Sequence, residues 1–465
     1  MEDVLSKLVD EARKLGASYS EARFQDITST TVAVENGLLR AYESDRLKGI
    51  GIRVLLEGAW GYSSSNEMGL SGLRRNVRQA IKIAKTSRKG SLRISVGARK
   101  AVRDRAGVQV KIDPDQVGPE EKIKVCIEAN KAARIGDRIK NATTRIGTFA
   151  DKRLFVNSEG SIVELNSSMA GLGQLSVAFS EGKMERVADS ESRCAGFEFI
   201  QGKDWTGFCR EISELAVRAV DAQAPSAGSF EVVADPDLVG LILHEAFGHA
   251  SEGDLITTKE SVLQGRLGSK LAGPNVTIYD QGTVEGGYFV PYDDEGTPKA
   301  QTTIIDEGVL KGYLQSRQTA AEMSMETTGN ARAMDFENTP IVRQTNCYMK
   351  HQDHSLEELA EGIEKGYYVR GRGAGGGQVD VGGGTFTFAV GPSYVIEKGE
   401  IREMVRGTTV SGLVLETLQT IDAVGKDLKI STSVFGGCGK GAQTVKVGDG
   451  GPHIRIRKIT IGGKA

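Results

Sequence analysis

The sequence has no excess of charge of one sign. Its 465 residues include 59 Lys and Arg against 61 Asp and Glu, which gives a formal net charge of −2. Proteins that bind nucleic acids need a basic surface that neutralises phosphates. The balanced charge therefore predicts that nucleic acid is not a partner.

Long apolar runs and cysteines are also scarce. No run approaches the ~18 apolar residues that a membrane-spanning helix needs, and the start, Met-Glu-Asp-Val-Leu-Ser, lacks the charged-then-apolar pattern of a signal peptide. Five cysteines are scattered over the chain: Cys126, Cys194, Cys209, Cys347 and Cys438. An odd number without a secretory signal is typical of a reducing compartment. We therefore expect a cytoplasmic protein with no membrane association and no disulfide framework.

Length and hydrophobic periodicity predict an α+β protein of two domains, 1–222 and 223–465, because a chain this long exceeds one compact core. In the N-terminal domain, helices pack on an antiparallel sheet. Apolar spacing predicts helices at 3–15, 70–87, 119–133 and 204–221. Alternation, with turn residues at Asn36-Gly37 and Glu57-Gly58, predicts a β-meander over 20–64. Further strands are predicted at 144–149, 154–156, 162–167 and 172–180.

The C-terminal domain is predicted to be rich in β-structure. The 59 glycines of the chain are unevenly distributed, and their densest clusters lie after residue 360 among apolar and aromatic residues. Strands are predicted at 230–233, 276–280, 301–305, 308–314, 341–349, 378–380, 385–390, 393–397, 401–403 and 453–461. Helices are predicted at 318–323, 355–364 and 412–419, besides one that begins near residue 236.

The helix near residue 236 carries the sequence Leu241-Ile-Leu-His-Glu-Ala-Phe-Gly-His-Ala250. Two imidazoles can hold Zn²⁺, and the carboxylate of Glu245 can act as the base for a water molecule. The spacing from His244 to His249 is i, i+5, which places the rings ~140° apart on a regular α-helix. A shared metal therefore predicts a π-bulge or an unwound turn before His249, and Gly248 is where a break is easiest.

A catalytic zinc usually has a third protein ligand. Cys438 is a candidate because it lies among glycines in Val434-Phe-Gly-Gly-Cys-Gly-Lys-Gly-Ala-Gln443, where Lys440 can favour the thiolate. Glu252 is an alternative carboxylate ligand, although Ser251-Glu-Gly-Asp254 also makes a good turn. The pair His351 and His354 is better explained as part of a polar loop before a helix.

A glycine-rich run covers residues 371–384, Gly-Arg-Gly-Ala-Gly-Gly-Gly-Gln-Val-Asp-Val-Gly-Gly-Gly. It lacks the GxxxxGK[ST] pattern of a phosphate loop. We interpret it as a glycine loop that leads into a strand, with Gln378 and Asp380 as polar positions. The exposed backbone of such a strand can pair with an extended peptide by strand addition.

Taken together, these motifs resemble the TldD/PmbA family of metallopeptidases. The resemblance is carried by residues 244–254 with their HExxxH pattern and by four further stretches: Asp293-Asp-Glu-Gly-Thr297, Thr328-Gly-Asn-Ala-Arg332, Gly376-Gly-Gln-Val-Asp380 and Gly437-Cys-Gly-Lys-Gly-Ala-Gln443. It implies one Zn²⁺ per chain, held by His244, His249 and Cys438, with Glu245 as the catalytic base. It also implies that Glu252 is not a metal ligand but lies outside the ligand set or in a turn.

The resemblance also implies a substrate and a partner. The substrate would be a peptide or an unfolded polypeptide, and the candidate contacts from the matching stretches are Gly376, Gln378, Asp380 and Asn330. The protein would be a homodimer, or a heterodimer with a PmbA-like paralogue that lacks the metal ligands. Since this chain retains all the ligands, it resembles the active, TldD-like branch.

Two other hypotheses remain open from the sequence. The chain could be a non-catalytic regulatory or binding partner whose zinc is structural, which requires a closed site of four ligands. It could also be an iron oxygenase with a two-histidine, one-carboxylate site that uses Glu252.

Overall fold

The computed structural model describes residues 1–87, 93–97, 99–371 and 376–463. The protein has the α+β fold that the sequence predicts. Strands between residues 19 and 193 form one seven-stranded sheet, whereas the strands from residue 228 onward form a nine-stranded and a six-stranded sheet and two short ribbons. The boundary at 222/223 remains a prediction.

The N-terminal elements follow the predicted order. Helices α1 to α5 span Glu2–Lys14, Leu70–Ser87, Pro119–Ala133, Glu198–Gln201 and Trp205–Ala219. Strands β1 to β7 span Tyr19–Glu35, Leu38–Leu56, Ala59–Ser65, Arg103–Gly107, Ile139–Asn157, Ile162–Ser180 and Lys183–Arg193. The sheet order is β3-β2-β1-β5-β6-β4, with β7 also paired to β6.

Two pairs of predicted strands proved to be continuous. Residues 144–149 and 154–156 belong to β5, and residues 162–167 and 172–180 belong to β6. The polar residues between 149 and 154 do not break β5, because the carboxylate of Asp151 is buried and bonded by Gln25 and Arg153. Sequence analysis also missed β4 and β7.

The two faces of the N-terminal sheet have different partners, because successive side chains of a strand point to opposite faces. Even-numbered residues such as Ile52, Val54 and Val156 form apolar clusters with the helices. Odd-numbered residues face the C-terminal half instead, where Arg53 pairs with Glu295 and Arg153 with Asp294. The sheet thus joins the two halves of the molecule through buried ion pairs.

The C-terminal half consists of shorter elements. Helices α6 to α10 span Pro236–Leu241, Gly253–Thr257, Arg317–Met323, Leu356–Ala360 and Val414–Gln419. Strands β8 to β26 span Gly228–Ala234, Ile278–Gln281, Gln301–Asp306, Val309–Leu310, Ala331–Arg332, Ile341–Val342, Asn346–Met349, Lys365–Val369, Gly376–Asp380, Thr385–Ala389, Ser393–Glu397, Glu400–Val405, Thr408–Leu413, Ile421–Val424, Lys429–Thr432, Cys438–Lys440, Gln443–Val445, Gly448–Gly451 and Ile454–Gly463.

Several predicted C-terminal elements are shorter than expected. The strand predicted over 341–349 is interrupted between β13 and β14, and the strand over 308–314 is reduced to β11. The helix predicted over 355–364 ends at Ala360. The interruption at 343–345 consists of buried polar residues, and Gly362, which follows the shortened helix, has a positive φ of 79°.

The helix that begins at Pro236 lies between the two large C-terminal sheets. Its residues Leu238, Ile242 and Phe247 belong to one buried cluster that also contains side chains from both sheets. The nine-stranded sheet has the order β16-β17-β20-β26-β8-β15-β18-β19, with β21 on β26, and the six-stranded sheet has the order β11-β10-β9-β14-β25-β22. Among helices in the described ranges, none has both the length and the apolar character needed to cross a membrane.

Candidate metal centre

The helix that carries the two histidines starts as predicted. Asp235 is its N-cap, and the carboxylate accepts a hydrogen bond of 2.9 Å from the backbone N–H of Leu238. Pro236 occupies the first helical position, where the missing N–H costs nothing. The same oxygen of Asp235 also accepts a hydrogen bond from the N–H of Gly371. The start of the helix is therefore fixed to the first residue of the glycine run.

The predicted π-bulge is confirmed. The α-helix ends at Leu241, residues Ile242–Gly248 form a π-helical turn, and the N–H of His249 donates to the carbonyl of His244. The wider turn brings the two imidazole rings together, with centroids 5.3 Å apart. An i, i+5 pair of histidines can therefore face a common point.

Gly248 lies in the turn that departs from α-helical geometry, as expected. Its backbone is an ordinary right-handed turn with φ −61°, so the backbone conformation itself does not require glycine there. Glycine is needed for close packing instead, because a Cβ at this position would lie 1.9 Å from Oε1 of Gln344.

Cys438 joins the two histidines. The potential ligand atoms of His244, His249 and Cys438 all lie within 4.8 Å of one another, and all three side chains are buried. The Sγ atom of Cys438 is 3.1 Å from Nε2 of His249. Within the ranges that the structure describes, no other three His, Cys, Asp or Glu side chains form such a group.

The electrostatics of the cluster favour a thiolate. Burial raises the pKa of Cys438, but hydrogen bonds and charge from His244 and His249 outweigh it and lower the pKa to about 5. The expectation that Lys440 favours the thiolate is wrong, because its ammonium group bonds to the carboxylates of Glu252 and Asp254. The histidines therefore take the role that the sequence assigned to the lysine.

The residues present fit a zinc ion. Two imidazole nitrogens and a thiolate are ligands that Zn²⁺ prefers, and three protein ligands are typical of catalytic rather than structural zinc. The Nδ1 atom of His244 is buried without a hydrogen-bond partner. A metal-bound cluster is therefore a better explanation of these three buried side chains than a hydrogen-bonded core.

Glu252 lies beside the cluster and outside it. Its Oε2 atom is 3.0 Å from Nδ1 of His249, and its Oε1 atom accepts a hydrogen bond of 3.2 Å from the N–H of Gln344. Burial raises the pKa of Glu252, but His249 and Lys440 outweigh it and lower the pKa to about 2. A permanently charged carboxylate in this place orients the imidazole of His249.

Glu245 lies where two cavities meet. The first, which we call the polar cleft, has a volume of about 440 Å³ and is lined by His244, Glu245 and Cys438 together with polar residues of β7 and of 431–433. The second, the apolar pocket, has a volume of about 340 Å³ and is lined by Glu245 and His249 together with Leu241, Leu255, Val379, Val381 and Phe388. No hydrogen bond or ion pair holds the Glu245 carboxylate among the described residues. The carboxylate therefore borders both cavities without being tied to another side chain of the described residues.

The predicted substrate contacts fall into two groups. Gly376, Gln378 and Asp380 lie on β16, which is the last strand of its sheet and whose neighbouring positions Gly377 and Val379 line the apolar pocket. Residues 372–375 of the glycine run lie outside the described residues. Asn330 is fully buried, and its amide donates to Asp280 and to the carbonyl of Arg343. That position favours a structural role for Asn330 over contact with a substrate.

Sequence analysis missed the polar wall of the cleft. Residues 189–193 of β7 and 431–433 line it, together with Asp449. The Ser431-Thr-Ser433 run that precedes the cysteine loop was the one available signal. The histidines at 351 and 354 are not part of the site, and Nδ1 of His354 is 3.1 Å from the carbonyl oxygen of Val424.

Known proteins resemble this chain along its whole length. Models of the PmbA/TldA metallopeptidase family match in three parts: domain 1 at residues 20–84, the central domain at residues 112–220 and the C-terminal domain at residues 227–463. A metalloprotease of Methanothermobacter thermautotrophicus is 38% identical over 96% of this chain and 95% of its own length. A protein of Saccharolobus solfataricus, named as a zinc metalloprotease TldD homolog, is 29% identical over 98% of this chain and 99% of its own length.

Solved structures show the same fold. A Thermotoga maritima protein described as a modulator of a DNA gyrase superposes with a TM-score of 0.82 at 20% identity, over 99% of this chain and 100% of its own. TldE from Thermococcus kodakarensis superposes with a TM-score of 0.80 at 19% identity, over 98% of this chain and 99% of its own. Since the family models and a relative above 30% identity cover almost all residues, the chain belongs to the PmbA/TldD family of metallopeptidases.

Proposed function

We propose that this protein is a zinc-dependent peptidase that hydrolyses extended or unfolded peptides. His244, His249 and Cys438 hold one Zn²⁺, and Glu245 is the general base. The metalloprotease names of the relatives support peptide hydrolysis, and the name of the Saccharolobus relative supports zinc.

One observation carries this proposal. Three buried side chains with the ligand atoms that zinc prefers converge within 4.8 Å, and the unpaired carboxylate next to His244 in the chain faces both cavities. A structural zinc would need a fourth protein ligand, and the described residues supply three. An iron site with Glu252 as ligand is also not supported, because that carboxylate is already bonded by His249, Gln344 and Lys440.

The residues divide the chemistry between them. A bound Zn²⁺ supplies Lewis-acid activation of a water molecule and polarises the scissile carbonyl. Glu245 takes the proton of the attacking water and returns it to the leaving amine. Glu252 keeps the His249 ring in place through its bond to Nδ1. The polar cleft and the apolar pocket hold the two sides of the peptide.

The edge strand β16 supports an extended substrate. Its outer side has no strand partner among the described residues, so its backbone can pair with a peptide by strand addition. Gly377 and Val379 place this edge at the apolar pocket, and Glu245 lines the same pocket. We infer that an apolar side chain of the peptide enters the pocket, while Gly376, Gln378 and Asp380 of β16 lie along the paired peptide. The homodimer or heterodimer with a PmbA-like paralogue and the cytoplasmic location are also part of this proposal.

The substitution Glu245→Gln tests the division of roles. Because it removes the base and retains the shape of the side chain, we expect hydrolysis of unfolded peptides to fall by at least ~100-fold while about one zinc per chain stays bound. The measurements are peptide cleavage by mass spectrometry and metal content. Glu416→Gln is the matched control, because it also replaces a carboxylate with a carboxamide, but at an exposed position of α10. We expect this control to retain activity. Loss of zinc in Glu245→Gln would contradict the assignment of Glu245 as the base.

A further inference from the structure

The interruption between β13 and β14, together with the first residue of β14, consists of buried polar residues. Arg343, Gln344, Thr345 and Asn346 are all 0% exposed, although a buried polar group costs free energy unless it is hydrogen-bonded. Two of the four side chains bond to the segments that carry the metal ligands. The other two bond elsewhere, which makes them natural controls.

Gln344 contacts both histidine segments. Its side-chain amide donates a hydrogen bond of 3.0 Å to the carbonyl oxygen of His244. Its backbone N–H donates to Oε1 of Glu252, whose other oxygen is bonded to the ring of His249. A single residue therefore connects to the backbone of one histidine and, through one carboxylate, to the side chain of the other.

Gln344 also explains the π-turn. In an α-helix the carbonyl of His244 would accept from the N–H of Gly248, but here it accepts from the N–H of His249 and from the Gln344 amide. A side chain that inserts beside the i→i−4 ladder widens a helix at that turn. Gly248 leaves room for the insertion, since a Cβ there would lie 1.9 Å from the Gln344 oxygen.

Arg343 holds the third ligand. Its Nη2 atom donates a hydrogen bond of 2.5 Å to the carbonyl oxygen of Cys438, and Nη1 donates to the carbonyl of Gln443. These two carbonyls belong to the two strands of the short hairpin β23–β24. Among the described residues, no carboxylate forms an ion pair with the Arg343 guanidinium. Its two terminal nitrogens bond instead to backbone carbonyls of the cysteine hairpin.

We propose that Arg343 and Gln344 are positioning residues of the metal centre, which together set the relative placement of all three ligands. Gln344 keeps the π-turn that aligns His244 and His249, and Arg343 fixes the backbone of Cys438 against them. The inference rests on the proposed metal site and goes beyond it, since neither residue offers a ligand atom or touches the reacting groups.

Metal binding tests the proposal directly. We would titrate Co²⁺ and Zn²⁺ into the metal-free wild type, Gln344→Met, Arg343→Met and the matched control Thr345→Val. Thr345 is buried in the same segment, but its hydroxyl bonds to Asp280 and not to a ligand segment. The readouts are the affinity in competition with a chelator, the absorption bands of bound Co²⁺ and the thermal unfolding of each metal-free variant.

We expect Gln344→Met and Arg343→Met to weaken metal binding by at least ~10-fold, the usual effect of removing a group that orients a ligand. Gln344→Met changes the d–d bands of Co²⁺, which report the placement of the histidines, and Arg343→Met changes the thiolate-to-Co²⁺ band. Arg343→Lys restores part of the affinity because one donor can still reach the Cys438 carbonyl. Thr345→Val retains the wild-type spectrum even where it lowers the unfolding temperature.

A spectrum and an affinity like the wild type in Gln344→Met would overturn the inference, as would an equal loss in Thr345→Val. Failure of the wild type to bind either metal would instead overturn the proposed function. If Gln344→Met or Arg343→Met does not fold, Gly248→Ala in the otherwise wild-type chain decides the question, because its new methyl group would displace the Gln344 side chain. We expect it to weaken metal binding by at least ~10-fold and to change the d–d bands of bound Co²⁺. Wild-type affinity and bands in folded Gly248→Ala would contradict the role of Gln344.

Discussion

The N-terminal sheet and the C-terminal half hold their backbones in different ways. Strands β1, β2, β5 and β6 are 17 to 19 residues long, whereas the longest C-terminal strand, β26, has 10. In the N-terminal sheet, long runs of strand pairing supply hydrogen-bond partners for the backbone N–H and C=O groups. In the C-terminal half, many backbone groups bond to buried side chains instead, such as Asn346, which donates to the carbonyls of Gln281 and Tyr288. Regular pairing thus supplies a rigid support, and irregular backbone held by side chains presents the reactive groups.

The largest expected effect is on the irregular half. In Cys438→Ala we expect zinc affinity to fall by more than ~100-fold, beyond the usual effect of losing an orienting group, because a ligand itself is removed. The far-UV circular dichroism of the long sheet stays unchanged. Metal analysis of wild type and variant, purified side by side, checks the result.

Cys194→Ala is the matched control for Cys438→Ala. Cys194 is also a free thiol, but it follows β7 and is not in the metal cluster. The control retains about one zinc per chain. Equal zinc in both variants would remove Cys438 from the site and return Glu252 to consideration as a ligand.

The next effect concerns the junction of the two regions. Asp294→Asn breaks the buried pairs with Arg153 and Arg23, at 2.6 Å and 3.4 Å, and leaves two guanidinium groups without that partner. Breaking a buried pair in this way costs about 3–5 kcal/mol of folding free energy. Urea or thermal unfolding at pH 7 measures the loss.

The same variant has a defined pH dependence. Burial raises the pKa of Asp294, but Arg153 and Arg23 outweigh it and hold the pKa below the ordinary aspartate value. A lowered pKa stabilises the folded state at pH values above the pKa of the unfolded state, which is about 3.9 for aspartate. This contribution to stability is lost as the pH falls through the pKa of the folded state. The stability difference between wild type and Asp294→Asn therefore shrinks below about pH 4. A constant difference down to pH 2 contradicts the ion-pair explanation.

A smaller effect is expected in the regular half. A Cβ at Gly61 of β3 would lie 1.9 Å from the carbonyl oxygen of Ala80 in α2. Gly61→Ala should destabilise the protein by about 1–3 kcal/mol through overpacking, with no change in metal affinity. Gly69→Ala is the control, since nothing lies within 4 Å of its new methyl group. Weaker metal binding in Gly61→Ala would show that the two regions are coupled.

The smallest effect is expected at the surface of the long strands. Arg46 forms two hydrogen bonds with Asp26, but the arginine side chain is 61% exposed. Such pairs contribute little, so Arg46→Gln should leave the unfolding midpoint unchanged within error in differential scanning calorimetry. A clear decrease would mean that this region also depends on its side chains.

Local signals were sufficient where the backbone is regular. The turns at Asn36-Gly37 and Glu57-Gly58 were predicted from their residues, and the structure has positive φ at all four positions. The i, i+5 spacing of His244 and His249 likewise required a non-α turn, and a π-turn is present. In both cases the residues that determine the geometry are within a few positions of each other.

The rest of the site could not be predicted because its partners are distant in sequence. Ile341-Val-Arg-Gln-Thr-Asn346 has the composition of a strand, and nothing local indicates that Gln344 bonds to a residue 100 positions earlier or Arg343 to one 95 positions later. Strand β7, which lines the polar cleft, was missed because its charged residues obscure the alternation of apolar and polar side chains that is typical of a strand. Cys438 was proposed as a ligand from its glycine context and the family resemblance, not from local periodicity.

The π-turn can also be regarded as a matter of chain length. Removing Gly248 would leave His-Glu-Ala-Phe-His, which is the HExxH spacing of zinc peptidases whose histidines lie one α-helical turn apart. The motif of this protein thus equals that shorter motif with one residue inserted, and the glutamine that fills the enlarged turn accommodates the insertion. A one-residue deletion combined with a smaller side chain at position 344 would therefore convert one metal-binding helix into the other.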